Sequence, residues 1–364
     1  MNMATYISDV IEGKRNGTFI KGALYAMSGL FEAGVNLRNF AFDQRWLKEK
    51  KVEAPVISIG NIVAGGTGKT ALIQRLTKDL SSSGQVSILS RGYRSIVEKK
   101  GKSIALFESS QTTPEICGDE PYLLFKTLPE AILFVGKDRV LNAKQAVYHN
   151  TDWILLDDGM QYRSLHRDIE IVMLHADDIY GKGFFLPRGY LRDSPKRLQS
   201  ADAIIINHIK NKEHFYTLQK EMSHWPQVPV IGTRMVPKEI EMSDGERLKD
   251  LKGKRVGVFC GLGNPYSFFA TVEEMGGEIL DKWILPDHIG PKIKELENFS
   301  ERCIEGGCDL VVCSEKDRVK LSLDSEFSLP IGTLKAELKV VMGEELYEKL
   351  LQNIVGLRPK DKTR

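Results

Sequence analysis

From Pro55 onward the chain alternates between short apolar runs and longer amphipathic ones. The apolar runs are Val56–Ile59, Val86–Leu89, Ala131–Val135, Trp153–Leu156, Ile169–Leu174 and Ala203–Asn207. Each has the length and apolar density of a buried strand. Helical patterning fills most of the gaps, as in Lys69–Ser81, Glu120–Lys126 and Asp138–Tyr148. Strands alternating with helices predict an α/β fold with a doubly wound, mostly parallel sheet.

The rhythm changes near residue 225. "WPQVPVIGTRMVPKEIEMSDG" carries three prolines and a β-like run, Val230–Val236. "KRVGVFCGLGNPYSFFATVEEMGG" then opens a new strand–turn–helix unit, and "DLVVCSEKDRVKL" adds a strand. Together they predict a second, smaller α/β domain. A further β-like run, Gly332–Val341, is placed to pair with Val230–Val236 as a two-stranded β linker. The expected division is residues 46–229 for the first α/β domain and 230–341 for the second, with the linker strands at its ends. Residues 342–364 form a charged helix and tail, and residues 1–45 a separate N-terminal segment.

That segment contains "FIKGALYAMSGLFEAGVNLRNFAF". Ile20, Leu24, Met27, Leu30, Phe31, Val35 and Leu37 recur at near-helical spacing, with Lys14, Arg15, Lys21, Arg38 and Arg45 around them. A basic amphipathic helix bearing aromatics either lies in a membrane interface or packs on its own domain. No run of 18 uninterrupted apolar residues is present, so no spanning helix is expected. Polar and acidic residues interrupt the first 18 positions, which argues against a signal peptide. Lys plus Arg number 51 against 49 Asp plus Glu. That near balance argues against a general nucleic-acid binder. The five cysteines include no C-x-x-C pair and read as reduced thiols.

Chemistry concentrates first in "VISIGNIVAGGTGKTALI", residues 56–73. A strand enters a glycine-dense turn, and a helix follows. Glycines let backbone N–H groups converge on an anion, and the helix presents its positive end. Gly65, Gly66, Thr67 and Gly68 would cradle phosphate, Lys69 would reach the β- and γ-phosphates, and Thr70 would ligate Mg²⁺. The full phosphate-loop pattern wants a small residue where this chain has Val63. The expectation is a P-loop NTPase-like sheet with a deviant loop. "WILLDDGMQYR" supports it, because an apolar strand ending in acids organises Mg²⁺ in such enzymes. Asp157 would hold the metal's water shell, and Asp158 would assist with metal or position a nucleophile.

Four further stretches carry candidates. "CGDEPYLLF" places Asp119 and Glu120 at a helix start, where acids also complement the dipole. "PDHIG" sets His288 beside Asp287. "SRGYRS" supplies Arg91, Tyr93 and Arg94, and "GFFLPRGYLRDSPKRL" supplies Arg188, Arg192, Lys196 and Arg197. Arginines interleaved with aromatics suit an anionic, partly apolar substrate.

Taken in order, "GNIVAGGTGKT", "SRGYR", "GDEP", "LLDDGMQ", "FFLPRGYLR", "PDH" and "SEKDRVKL" form a set more diagnostic than any member. With "LRNFAFD" before them, they resemble the tetraacyldisaccharide 4′-kinase (lipid A 4′-kinase) family over residues 20–340 or so. The resemblance implies transfer of the ATP γ-phosphate to the 4′-hydroxyl of a tetraacylated glucosamine disaccharide 1-phosphate. It implies peripheral attachment to the cytoplasmic face of the bacterial inner membrane, with no nucleic acid and no obligate protein partner. It places ATP on residues 65–70 and Mg²⁺ near Thr70, Asp157, Asp158 and Gln161. It assigns the base to Asp119 with His288 as partner, Asp158 remaining an alternative. Arg91, Tyr93, Arg94 and Arg188 would face the phosphorylated substrate. Ala71 and Ile289 depart from the proline and second histidine common in the family. The rival reading is a membrane-recruited P-loop ATPase switch acting through a protein partner. The lysine that marks the best-known switches is Ala64 here.

Overall fold

The computed structural model describes residues 10–11, 17–223, 228–286, 290–321 and 327–358. The strands in chain order are β1 (Val56–Gly60), β2 (Val86–Ser90), β3 (Ser103–Leu106), β4 (Ile132–Gly136), β5 (Trp153–Asp157), β6 (Ile169–His175), β7 (Ala203–Asn207), β8 (Val230–Met242), β9 (Arg247–Leu248), β10 (Arg255–Cys260), β11 (Glu278–Ile284), β12 (Leu310–Ser314) and β13 (Ile331–Met342). They belong to a mostly parallel mixed sheet of 13 strands with helices between them, as the alternating pattern predicts. By contacts the chain divides into two compact units. One holds Met1–Lys69, Asp152–Thr233 and Val340–Arg364, and the other Thr70–Thr151 and Arg234–Lys339.

In the first unit the strand order is β7-β6-β1-β5, all parallel. Every residue of β1, β5 and β7 is buried, as expected of strands covered on both faces. The helix Thr18–Asp43 packs on this unit through Leu24, Ser28, Val35 and Asn39. These positions share one stripe at helical spacing. Polar contacts fasten it. Ser28 Oγ donates to the Phe185 carbonyl (2.7 Å), Asn39 Nδ2 to buried Asp193 (2.8 Å), and Arg163 pairs with Asp43 (2.8 Å). The near-helical apolar set therefore splits. Leu24 and Val35 turn inward, whereas Leu30 (77% exposed) and Leu37 (66%) turn outward with Phe19, Tyr25 and Met27. The helix Glu344–Gly356 closes the unit, with the buried Trp153 indole donating to the Ile354 carbonyl (2.9 Å).

In the second unit β2 and β4 are parallel, and β3 adds an antiparallel edge that the apolar pattern did not single out. Elsewhere in this unit β10 lies between β11 and β12, and β12 continues to β13, all parallel. β8 and β13 are neighbours, the pairing expected of the linker strands. Side chains alternate across β10 and β12. Val256, Val258, Leu310 and Val312 enter one core cluster, and Phe259, Val311 and Cys313 enter another. All five cysteines are free and buried. Burial pushes the Cys260, Cys303 and Cys313 thiols up to about 12, which leaves them protonated and inert.

Candidate functional site

The site is built where β1 ends. β1 runs into Asn61–Ala64, and the helix Lys69–Ser81 starts at the lysine of the glycine turn. Its first turn carries no acid, so no carboxylate competes for the positive end. Gly65 and Gly68 adopt φ of 118° and 98°, a region glycine enters at little cost. Gly68 is also constrained by proximity, since a Cβ there would meet Asn207 Nδ2 at 2.4 Å.

Val63 is explained by its neighbours. It forms an antiparallel bridge with Leu191, and the flanking backbone is tied at Ala64 N to Tyr190 O and at Arg192 N to Ile62 O (both 2.7 Å). Its side chain is buried in the cluster containing Ile62, Phe185 and Leu191. Val63 is absent from the residues with positive φ. The first half of the loop is thus held as extended backbone against the "YLRD" segment. Only the second half needs glycine, at Gly65 and Gly68.

The acids arrive on the adjacent strand. β1 and β5 pair in register with Ile59 beside Asp157, which puts Asp157 at the strand end next to the loop. Asp157 is buried. Asp158 follows in left-handed backbone (φ 52°). Its carboxylate accepts twice from Arg192 Nη2 (both 2.9 Å) and pairs with Lys69 Nζ at 3.4 Å. Burial alone raises its pKa, but the Lys69 and Arg192 charges more than offset that and hold it below the usual carboxylate value. Gln161 joins the group. Its Oε1 accepts from Arg192, and its Nε2 donates to the Asn61 carbonyl (2.9 Å). For Oε1 to reach a metal, Arg192 must release it. Arg188 lies elsewhere in the unit, with its guanidinium over Phe184 at 4.7 Å. Lys196 is exposed, and Arg197 is half-buried with a pKa lowered by burial and by the neighbouring Arg163.

The second unit gathers another set. Gly92 and Gly118 approach so closely that a Cβ on Gly118 would lie 3.3 Å from the Gly92 backbone. "SRGYR" and "GDEP" are therefore neighbours, and Asp119 opens the helix Asp119–Thr127. Tyr93 is exposed, and Arg94 lies over its ring at 5.2 Å. Arg91 forms an ion pair with Glu98, which also accepts from the Arg94 N–H (2.7 Å). Glu120 pairs with Lys316 of "SEKDRVKL". Asp317 of that motif is buried and accepts from Gly261 N (3.0 Å) and Ser314 Oγ (2.6 Å), while Ser314 caps the turn by accepting from Asp317 N. His288, Asp287 and Ile289 lie outside the described residues.

Pattern reading passed over Asn61, Glu98 and Asn207. Asn207 donates to the Thr67 carbonyl (3.3 Å) and accepts from Thr233 Oγ1 (3.2 Å), which buttresses the glycine turn. Its signal was a polar residue closing the apolar strand "AIIIN". Glu98 offered none, being one acid in a charged surface stretch.

The sequence model of the family described as tetraacyldisaccharide-1-P 4′-kinase matches residues 20–355. The tetraacyldisaccharide 4′-kinase of Chlamydia abortus is 39% identical over 339 residues, covering 90% of this chain and 89% of its own length. That of Chlamydia trachomatis is 36% identical and covers 86% of each chain. The crystal structure of LpxK from Aquifex aeolicus in complex with ATP superposes with a TM-score of 0.73 at 28% identity. That match covers 93% of this chain and 100% of the other.

Proposed function

The chain belongs to the tetraacyldisaccharide-1-P 4′-kinase family, and from that premise we propose a mechanism for its ATP-dependent phosphorylation of the lipid A disaccharide. The observation that carries it is the Lys69–Asp158–Arg192 cluster at the mouth of the glycine turn. The ion pair there keeps the Lys69 ammonium beside Asp158 at the end of the glycine turn.

The backbone amides of residues 65–70 bind the β- and γ-phosphates of ATP, with Lys69 over the γ-phosphate. The 4′-oxygen of the tetraacylated disaccharide 1-phosphate forms a bond to the γ-phosphorus as the bond to the β,γ-bridging oxygen breaks. ADP leaves, and the hydroxyl proton passes to a carboxylate. We assign that carboxylate to Asp119, tuned by His288, with Asp158 as the alternative. Arg91, Tyr93, Arg94 and Arg188 serve the anionic substrate, and Arg91 must exchange Glu98 for it. In functional terms residues 46–229 are the kinase domain and 230–341 the second domain.

The residues present fit Mg²⁺. Among the described residues no group of three or more His, Cys, Asp or Glu is placed to hold a metal. Mg²⁺ held by one or two carboxylates, substrate phosphates and water needs no such cage. Thr70, Asp157, ionised Asp158 and Gln161 supply that kind of set. When bound, the ion neutralises charge on the phosphate oxygens.

The membrane reading rests on the outer face of the helix Thr18–Asp43. Among the described residues no helix is long and apolar enough to cross a membrane. An exposed stripe with Phe19, Leu30 and Leu37 suits an interfacial position instead. The acyl chains then stay in the cytoplasmic leaflet of the inner membrane, and the enzyme comes to them. The test is transfer of ³²P from γ-labelled ATP to the disaccharide lipid in mixed micelles. The wild-type chain labels the glycolipid, and Lys69→Ala loses at least about 100-fold in rate. Label appearing only as inorganic phosphate would defeat the proposal.

A further inference from the structure

Within the first unit, residues 184–193 make two sets of contacts. One set is with the helix Thr18–Asp43. Tyr25 meets Phe184 edge-on (ring centroids 6.0 Å), Phe31 meets Phe185 (6.3 Å), and Ser28 Oγ donates to the Phe185 carbonyl. Asn39 Nδ2 donates to Asp193 Oδ1 (2.8 Å), and Arg38 pairs with the same carboxylate at 3.8 Å. The other set is with the segment leading into the glycine turn. Ala64 N donates to Tyr190 O, Val63 bridges Leu191, and Arg192 N and Asp193 N both donate to Ile62 O (2.7 and 3.3 Å). Residues 184–193 are therefore a strap that joins the helix to the turn.

The two sets meet at Asp193. Its side chain is fully buried and its carboxylate is held by the helix, while its backbone is held by Ile62. The residue before it is Arg192, whose Nη2 reaches both Asp158 oxygens and Gln161 Oε1. Those oxygens belong to the set proposed above for Mg²⁺. A guanidinium and a divalent ion repel at such range and do not share them. Loading the metal therefore requires Arg192 to move, and Arg192 is anchored through Asp193 to the helix. A buried charged residue tied on both sides transmits a shift of either neighbour, because breaking its contacts leaves an unpaired buried charge.

We propose that Asn39 and Asp193 are positioning residues that couple the helix to the metal-binding oxygens. When the outer face of the helix settles on a lipid surface, the strap shifts and Arg192 releases Asp158 and Gln161. The inference rests on the kinase and membrane readings above and goes beyond them by joining the two through named contacts. Asn39 and Asp193 touch no reacting atom and act through Arg192. The coupling is reciprocal, so the metal-loaded chain binds the surface more tightly by the factor by which the surface tightens the metal.

The test measures binding of Mn²⁺, a spectroscopic substitute for Mg²⁺, by electron paramagnetic resonance. It uses the full chain with adenylyl imidodiphosphate, with and without vesicles of phosphatidylglycerol and phosphatidylethanolamine. In the wild type the vesicles should tighten Mn²⁺ about tenfold. Asn39→Ala should sediment with the vesicles as the wild type does, while that gain falls to about twofold or less. Asn39→Asp combined with Asp193→Asn rebuilds the hydrogen bond in reverse and should restore the gain. Arg192→Gln keeps the helix contacts and should bind Mn²⁺ as tightly without vesicles as the wild type does with them. A full gain in Asn39→Ala, or a vesicle requirement that persists in Arg192→Gln, would overturn the inference. So would wild-type Mn²⁺ affinity indifferent to vesicles that do sediment the chain. Vesicles that leave the wild type in solution would instead remove the membrane reading beneath it, and absence of nucleotide-dependent Mn²⁺ binding the kinase reading; the coupling falls with either.

Discussion

At the scale of single residues the site is a balance of charges. Asp158 sits between Lys69 and Arg192, and its depressed pKa keeps it ionised well below neutral pH. A carboxylate so held is a poor proton acceptor, because the same cations that stabilise its charge oppose protonation. It is better suited to orienting Lys69 or meeting a metal. That argument favours Asp119 as the base. Asp119→Asn should lower turnover by roughly 10²–10⁴-fold while ATP affinity stays within about twofold. Turnover and binding measured on the same preparation check this. Near wild-type turnover would transfer the role to Asp158 or to solvent.

At the scale of elements the two faces of the helix Thr18–Asp43 differ in burial. Its inner stripe is fixed by Ser28, which donates to the Phe185 carbonyl, and by Asn39, which donates to Asp193 and whose carbonyl accepts from Arg163. Its outer face carries large exposed apolar side chains, Phe19 at 90%, Leu30 at 77% and Leu37 at 66%. Placing a charge there costs nothing in the core but opposes entry into lipid. Leu30→Glu with Leu37→Glu should leave the melting temperature within about 2 °C, because surface changes are near neutral. Binding to anionic vesicles should fall at least about tenfold in a sedimentation assay, since two buried leucines contribute about 1.5–3 kcal/mol each. Full retention of vesicle binding would move the membrane contact to another surface.

At the scale of the whole molecule, a kinase and an ATPase switch predict different couplings. A kinase that waits for its acceptor should consume ATP slowly alone and faster with glycolipid, with one phosphate appearing on lipid per ADP formed. A switch should hydrolyse ATP with or without it. Parallel measurement of ADP and phospholipid product separates them, and lipid-independent hydrolysis at the full rate would favour the switch. Family membership over residues 20–355 stands with the kinase.

Much was legible in the sequence for a physical reason. Fully buried strands must be apolar, and the helices between them must be amphipathic, so the sheet announces itself in the pattern. The glycine turn is equally local, since its chemistry depends on consecutive backbone amides. What the pattern could not give depends on who lies next to whom. Val63 reads as a defect until Leu191 pairs with its backbone and Phe185 shares its core. The apolar residues of the N-terminal helix read as one face until packing takes Leu24 and Val35 and leaves Leu30 and Leu37 in solvent. Arg91 reads as a free cation until Glu98 claims it, and Asn207 acquires meaning only because β7, β6 and β1 lie side by side. Periodicity is set by burial along one segment and is written in that segment. Pairing between segments far apart in the chain is set by packing in three dimensions, and only the folded structure records it.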